Sequence, residues 1–270
     1  MKKKKKNRIL VSGRSYIVRC PTRHPTPEQK FIMIALLLLL SAGLQDTLAM
    51  PTTSSNPTLS VPECGTKAVA AINSIELSSG KSAFPAATHI QVCWTEEYLS
   101  IDYQAMQDTW LKNDHMTCNT ETWQQEVVEL FIADKPNPRS AFVTSYLEVE
   151  ISPQNTLYVA RISNPFGNGT NKTNQMIDCS ASGIAHSTRI GHNSYNANVT
   201  VPWTNIYTNG AVPKGSKKGS ILYGNFFRVL METPVDSCDP STCKYGAWSP
   251  TFDVPPQFHV TTVFGEIELV

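Results

Sequence analysis

The chain has 270 residues, and its formal net charge of +1 conceals two unlike parts. Residues 1–49 hold ten Lys/Arg against two acids, which leaves 13 basic and 20 acidic residues, a net charge of −7, in 50–270. A body this acidic carries no nucleic-acid footprint.

The apolar run over 31–44 spans 14 residues, short of the roughly 20 that a bilayer span needs. A basic region precedes it, and Thr47-Leu48-Ala49 supplies small residues at −3 and −1. Residues 1–49 therefore read as a secretory signal peptide and the protein as extracellular. The rival is an uncleaved type II anchor, the one route by which a membrane becomes a partner. Cys20 lies before the apolar run. The other six cysteines, Cys64, Cys93, Cys118, Cys179, Cys238 and Cys243, form an even set, as a disulfide framework in an oxidising compartment requires. Of their possible pairings, Cys238–Cys243, close in sequence around Asp239-Pro240, is the first expected. Asn168, Asn171 and Asn198 each open an Asn-x-Thr sequon, the glycan acceptor of exported chains.

Residues 50–63, rich in Ser, Thr and Pro, read as a flexible leader, and 64–270 as one β domain. Its elements follow in order. Residues 88–94 alternate, with Ile90, Val92 and Trp94 on one face, and 98–103 pair back as a hairpin. Residues 126–133 are a mostly apolar, central strand. Residues 146–151 alternate strictly and turn at Pro153-Gln154-Asn155 into 156–162. Strands at 197–201, 221–231 and 264–269 follow, with one short helical turn at 204–207. Strands near ten-residue spacing with Pro, Gly and Asn turns predict an all-β antiparallel sandwich or jelly roll.

Five blocks in this order resemble family 9 carbohydrate-binding modules and their DOMON-like relatives. They are Val92-Cys-Trp-Thr-Glu-Glu-Tyr-Leu99, Trp123-Gln-Gln-Glu-Val-Val-Glu-Leu-Phe-Ile132, Tyr146-Leu-Glu-Val-Glu-Ile-Ser-Pro-Gln-Asn-Thr-Leu157, Val199-Thr-Val-Pro-Trp203, and the closing Gly224–Val229, Ala247–Thr251, Phe258–Val260, Phe264–Leu269 series. The resemblance implies a non-catalytic domain that clamps a polysaccharide or oligosaccharide between Trp123 and Phe258. It makes Glu129 a bidentate acceptor for adjacent hydroxyls, places Glu126 at the mouth of the strand, and sets His259 beside Phe258 as a further hydrogen-bonding group. A carboxylate amid apolar neighbours is expensive to bury unpaired, so an ion pair of Glu129 with Arg161 or Arg228 is the structural alternative. Glu148, Pro255 and Pro256 depart from the polar or basic residues of sugar-binding relatives.

The resemblance calls for no cofactor. Structural calcium has candidate donors in Asp102, Asp108 and Asp114, whose spacing matches no loop motif. A haem domain, the alternative among DOMON-like relatives, would draw axial ligands from Met106, Met116, Met176, Met231, His115, His186 and His192. A glycoside hydrolase would need two facing carboxylates, and no acid here sits in a catalytic motif. Trp94 and Trp248 read as packing residues and Trp110 as exposed.

Overall fold

The computed structural model describes residues 56–106, 109–207, 212 and 217–270. The expected signal segment over 1–49, with Cys20, and the candidate donor Asp108 lie outside them. Among the described residues two β-sheets pack face to face around one main apolar core, the sandwich that the strand pattern predicts.

The first strand, β1 (Thr58–Val61), runs parallel to the last, β14 (Gly265–Leu269). The expected leader is thus shorter than 50–63, because Leu59 and Val61 are buried beside β14. The smaller sheet is built on the hairpin of β4 (Thr88–Trp94) and β5 (Tyr98–Met106). Beside β4 lies β2 (Ala70–Ile72); beside β5 lie β11 (Ser194–Pro202) and then β10 (Ala185–Gly191). Ile90, Val92, Trp94, Leu99, Ile101 and Tyr103 are buried on one face, as the period-two alternation requires. A four-residue helix, α1 (Trp203–Ile206), follows β11.

The larger sheet centres on β12 (Ile221–Met231), β6 (Val127–Ala133) and β7 (Ser145–Ile151), continued by β8 (Leu157–Ser163) and β9 (Thr173–Met176). On the far side of β12, β14 pairs with its first half. There β13 (Cys243–Ala247) pairs with the second half and itself pairs with β3 (Glu76–Leu77). Asn225 bridges the changeover: its amide donates to the Ser249 carbonyl at 2.7 Å, and its oxygen accepts from the N–H groups of Phe226 and Ser249 at 2.9 Å. At the start of β14 the Trp248 ring lies so close to Gly265 that a Cβ there would sit 2.4 Å from it, so no larger residue fits.

Every residue of β6 is buried because the larger sheet is covered on both faces. Val128, Leu130 and Ile132 face the smaller sheet. On the outer face Phe131, Tyr146, Tyr158 and Phe227 form a second cluster, with Trp123, Phe258 and Phe264 packed against it. The β7–β8 turn closes on Asn155, whose φ of +65° is a conformation Asn tolerates better than most residues.

Three disulfides tie the fold: Cys64–Cys93, Cys118–Cys179 and the expected local bridge Cys238–Cys243. Asn168, Asn171 and Asn198 are exposed. The pattern did not predict β1, β2, β3, β9, β10 or β13, which are short or polar.

Candidate functional site

On the outer face of the larger sheet lies a cavity of about 270 Å³. Its floor is formed by Glu129 and Phe131 of β6, Glu148 of β7 and Tyr158 of β8. Trp123, Tyr245 and residues 256–259 make its walls, and Lys172 and Asn174 edge it on the β9 side. Trp123, Glu129, Phe258 and His259, four positions singled out from the sequence, therefore meet in one place.

Trp123 sits in a 3₁₀ turn, Thr122–Gln124. Buried Asn113 anchors this turn by donating to the carbonyls of Thr122 at 2.8 Å and Glu126 at 3.0 Å. The Gln124 carbonyl also accepts from the Cys238 N–H at 2.7 Å. The half-buried indole meets Tyr158 edge-on at 5.2 Å between centroids. An aromatic ring so held is rigid before any ligand arrives. Phe258 stacks on Phe227 at 4.2 Å and meets Tyr245 edge-on at 5.9 Å, so one of its faces is already occupied by the protein.

His259 stacks on Phe131 at 5.1 Å, and its Nδ1 shares a hydrogen bond with the Tyr146 hydroxyl. Burial, followed by the nearby Lys172 charge, pushes its pKa down to about 3, so at neutral pH the ring is uncharged. Its backbone carbonyl accepts from Asn164 at 2.8 Å.

The acidic floor is the site's electrostatic peculiarity. Register puts Glu129 directly opposite Glu150 across β6 and β7, and Phe131 opposite Glu148. Ligand atoms of Glu129, Glu148 and Glu150 all lie within 4.8 Å of one another, and all three residues are buried. Burial, then the charge of Glu148, drives Glu129 well above the usual carboxyl range. Burial, then the charges of Glu129 and Glu148, does the same to Glu150. Glu148 rises to about 7, chiefly through burial, with its hydrogen bond to Glu150 and the Lys172 charge opposing the shift. Thr122 donates to Glu150, yet Glu129 Oε1, Glu148 Oε2 and Glu150 Oε1 have no hydrogen-bond partner among the described residues. Buried polar atoms are seldom left this way.

One sequence expectation needs correction. Glu126 is not at the cavity; it is fully buried on the opposite side of the sheet, ion-paired to Arg228 at 3.1 Å and accepting from the Met231 N–H at 3.1 Å. The ion pair considered for Glu129 with Arg228 is thus made by Glu126 instead. Of the residues considered as calcium donors, Asp114 pairs with Lys112 at 2.7 Å and Asp102 hydrogen-bonds to Asn198, while Asp108 lies outside the described residues. None of the Met and His residues considered as haem ligands lines the cavity. Trp94 is buried, Trp248 half-buried and Trp110 exposed, as expected.

Glu148, Tyr158, Tyr245, Lys172 and Asn174 complete the site without having been assigned to it from sequence. Glu148 was visible only as a departure from the resembled pattern; the alternation of 148 and 150 shows a shared face but not what that face meets.

No family model matches the chain. It is 29% identical over 228 residues to an "Extracellular protein" of Arthroderma benhamiae, covering 80% of this chain and 91% of that one. In structure it is similar to a "putative carbohydrate-binding protein" from Bacteroides uniformis, with a TM-score of 0.58, 15% identity, and coverage of 80% of this chain and 100% of the other. A family 9 carbohydrate-binding module from Caldicellulosiruptor kristjanssonii in complex with glucose is also similar, at TM-score 0.47 and 14% identity, covering 79% of this chain and 95% of that one. The Bacteroides protein shares the overall β-sandwich.

Proposed function

We propose that this is an extracellular, non-catalytic carbohydrate-binding protein that holds a sugar ring in the cavity on the outer face of its larger sheet. The observation carrying this reading is that Trp123, Glu129 and Phe258 line the same cavity. Flat aromatic faces pack against the apolar C–H face of a pyranose, while a few placed polar groups take its hydroxyls. Glu129 supplies the acceptor, and Tyr158, Asn174 and Gln257 supply further polar atoms on the lining. The cavity volume suits one or two sugar rings rather than a long buried chain.

The fold shared with the Bacteroides protein, described as a carbohydrate binder, supports the reading. Export is supported by the three disulfides, by the name of the Arthroderma benhamiae relative, and by the signal-like pattern of 1–49. The signal segment and glycans at Asn168, Asn171 and Asn198 belong to this proposal.

Affinity electrophoresis through gels containing β-glucan, xylan, chitin or chitosan tests it. The expected result is retardation by at least one polysaccharide, weakened about tenfold or more in Trp123→Ala, since removing a buried aromatic contact of about 1.5–3 kcal/mol corresponds to such a factor. Migration unchanged by every polymer would reject it.

A further inference from the structure

The cavity holds more carboxyl groups than a neutral sugar calls for. Glu129 and Glu148 line it, Glu150 lies directly behind them, and each has a buried carboxyl oxygen without a hydrogen-bond partner among the described residues. Lys172 is the cation on the lining; its ammonium donates to Asn174 at 3.2 Å and makes no ion pair with the three acids among the described residues. The uncharged His259 offers no countercharge.

We infer that the sugar taken by this cavity carries a protonated amine: a hexosamine with a free ammonium group, seated on Glu129 and Glu148 while its ring lies against Trp123 and Phe258. This rests on the carbohydrate-binding reading and narrows it to a ligand class. An ammonium has three N–H donors and no acceptor, and an opposite charge this close favours ionisation of the carboxyls it meets, their protons passing to solvent. Charge-assisted N–H···O bonds run about 2.7–2.9 Å, so oxygens at that distance on tetrahedral N–H directions stand about 4.4–4.7 Å apart; ligand oxygens of the three carboxyls all lie within 4.8 Å of one another. A calcium ion would want six to eight oxygens; here the space beside the carboxyls is walled by Trp123 and Phe258, rings that offer a hydrated ion nothing and a pyranose face a great deal.

Calorimetric titration of the purified protein at pH 6 and low salt tests this with three trimers sharing one ring: glucosamine, N-acetylglucosamine and glucose (cellotriose). They differ at C2 as ammonium, acetamide and hydroxyl. The expected result is at least tenfold tighter binding of the glucosamine trimer, with Glu148→Gln losing most of that preference. Equal or tighter binding of cellotriose or the acetylated trimer overturns the inference while leaving the carbohydrate-binding reading intact. Absence of binding by all three, together with no retardation on any polysaccharide, overturns both. A rise in Tm with CaCl₂ that Glu148→Gln abolishes, with no preference for glucosamine, also overturns it in favour of a metal. Should Glu148→Gln fail to fold, the comparison of trimers on the wild-type protein decides alone.

Discussion

Glu129 of β6 and Glu150 of β7 face each other across adjacent strands, both buried and both on the outer face of the sheet. Burial first, and then the charge of Glu148 on Glu129 and of Glu129 and Glu148 on Glu150, makes these carboxyls keep their protons well beyond their ordinary range.

This sets one arm of the stability profile. A carboxyl whose pKa is raised on folding binds more protons in the native state, so its contribution is full below the unfolded value and is lost as pH rises. For Glu148 the window runs from the ordinary 4.5 to about 7, and Glu129 and Glu150 extend it upward. Without ligand, Tm should fall from pH 4.5 through 7 and beyond. In Glu148→Gln the fall should be shallower, as thermal melts across that range will show.

His259 sets the other arm. Its pKa drops from 6.5 to about 3 on folding, so its contribution is present above 6.5 and is lost as pH falls toward 3. His259→Phe keeps a ring stacked on Phe131 while removing the titrating group. Melts between pH 4.5 and 3, below the window of the carboxyls, should show a gentler acid slope for this variant than for wild type.

The Glu126–Arg228 pair lies between the sheets, with both side chains inaccessible. Arg228 also donates to the Thr88 hydroxyl at 3.0 Å and to the backbone carbonyls of Ala87 and Met106 at 3.3 and 3.2 Å, so it joins the two layers. Breaking a buried pair from one side costs about 3–5 kcal/mol. Urea unfolding of Glu126→Ala should show a loss of that order. Sugar affinity of the folded fraction should be unchanged, because Glu126 does not line the cavity.

The Cys118–Cys179 disulfide spans 61 residues and fixes the loop ahead of Trp123 to the segment after β9. Loop closure of that length is worth about 4 kcal/mol in the chain-entropy account. The double variant Cys118→Ser/Cys179→Ser should lose stability of about that size in denaturant titration.

Much of this fold was legible because its central strands carry their own pattern. Ile90, Val92 and Trp94 alternate, 126–133 is nearly all apolar, and Pro153-Gln154-Asn155 marks a turn. The edge strands β9 and β10 expose nearly all their residues, and without a buried face no periodicity announces them. The aromatic pair at 123 and 258 was placed by resemblance alone. Glu126 went astray through parity: it and Glu129 are an odd number of residues apart and so lie on opposite faces of an extended chain. The acidic floor was out of reach because it depends on which residue of β7 meets Glu129, a matter of register between strands.

The most direct measurement is a crystal structure of the protein with an oligosaccharide that binds it. The account predicts a pyranose ring lying between Trp123 and Phe258, with a polar group of the sugar within hydrogen-bond distance of Glu129. A sugar bound elsewhere on the surface, with this cavity left to solvent, would contradict it.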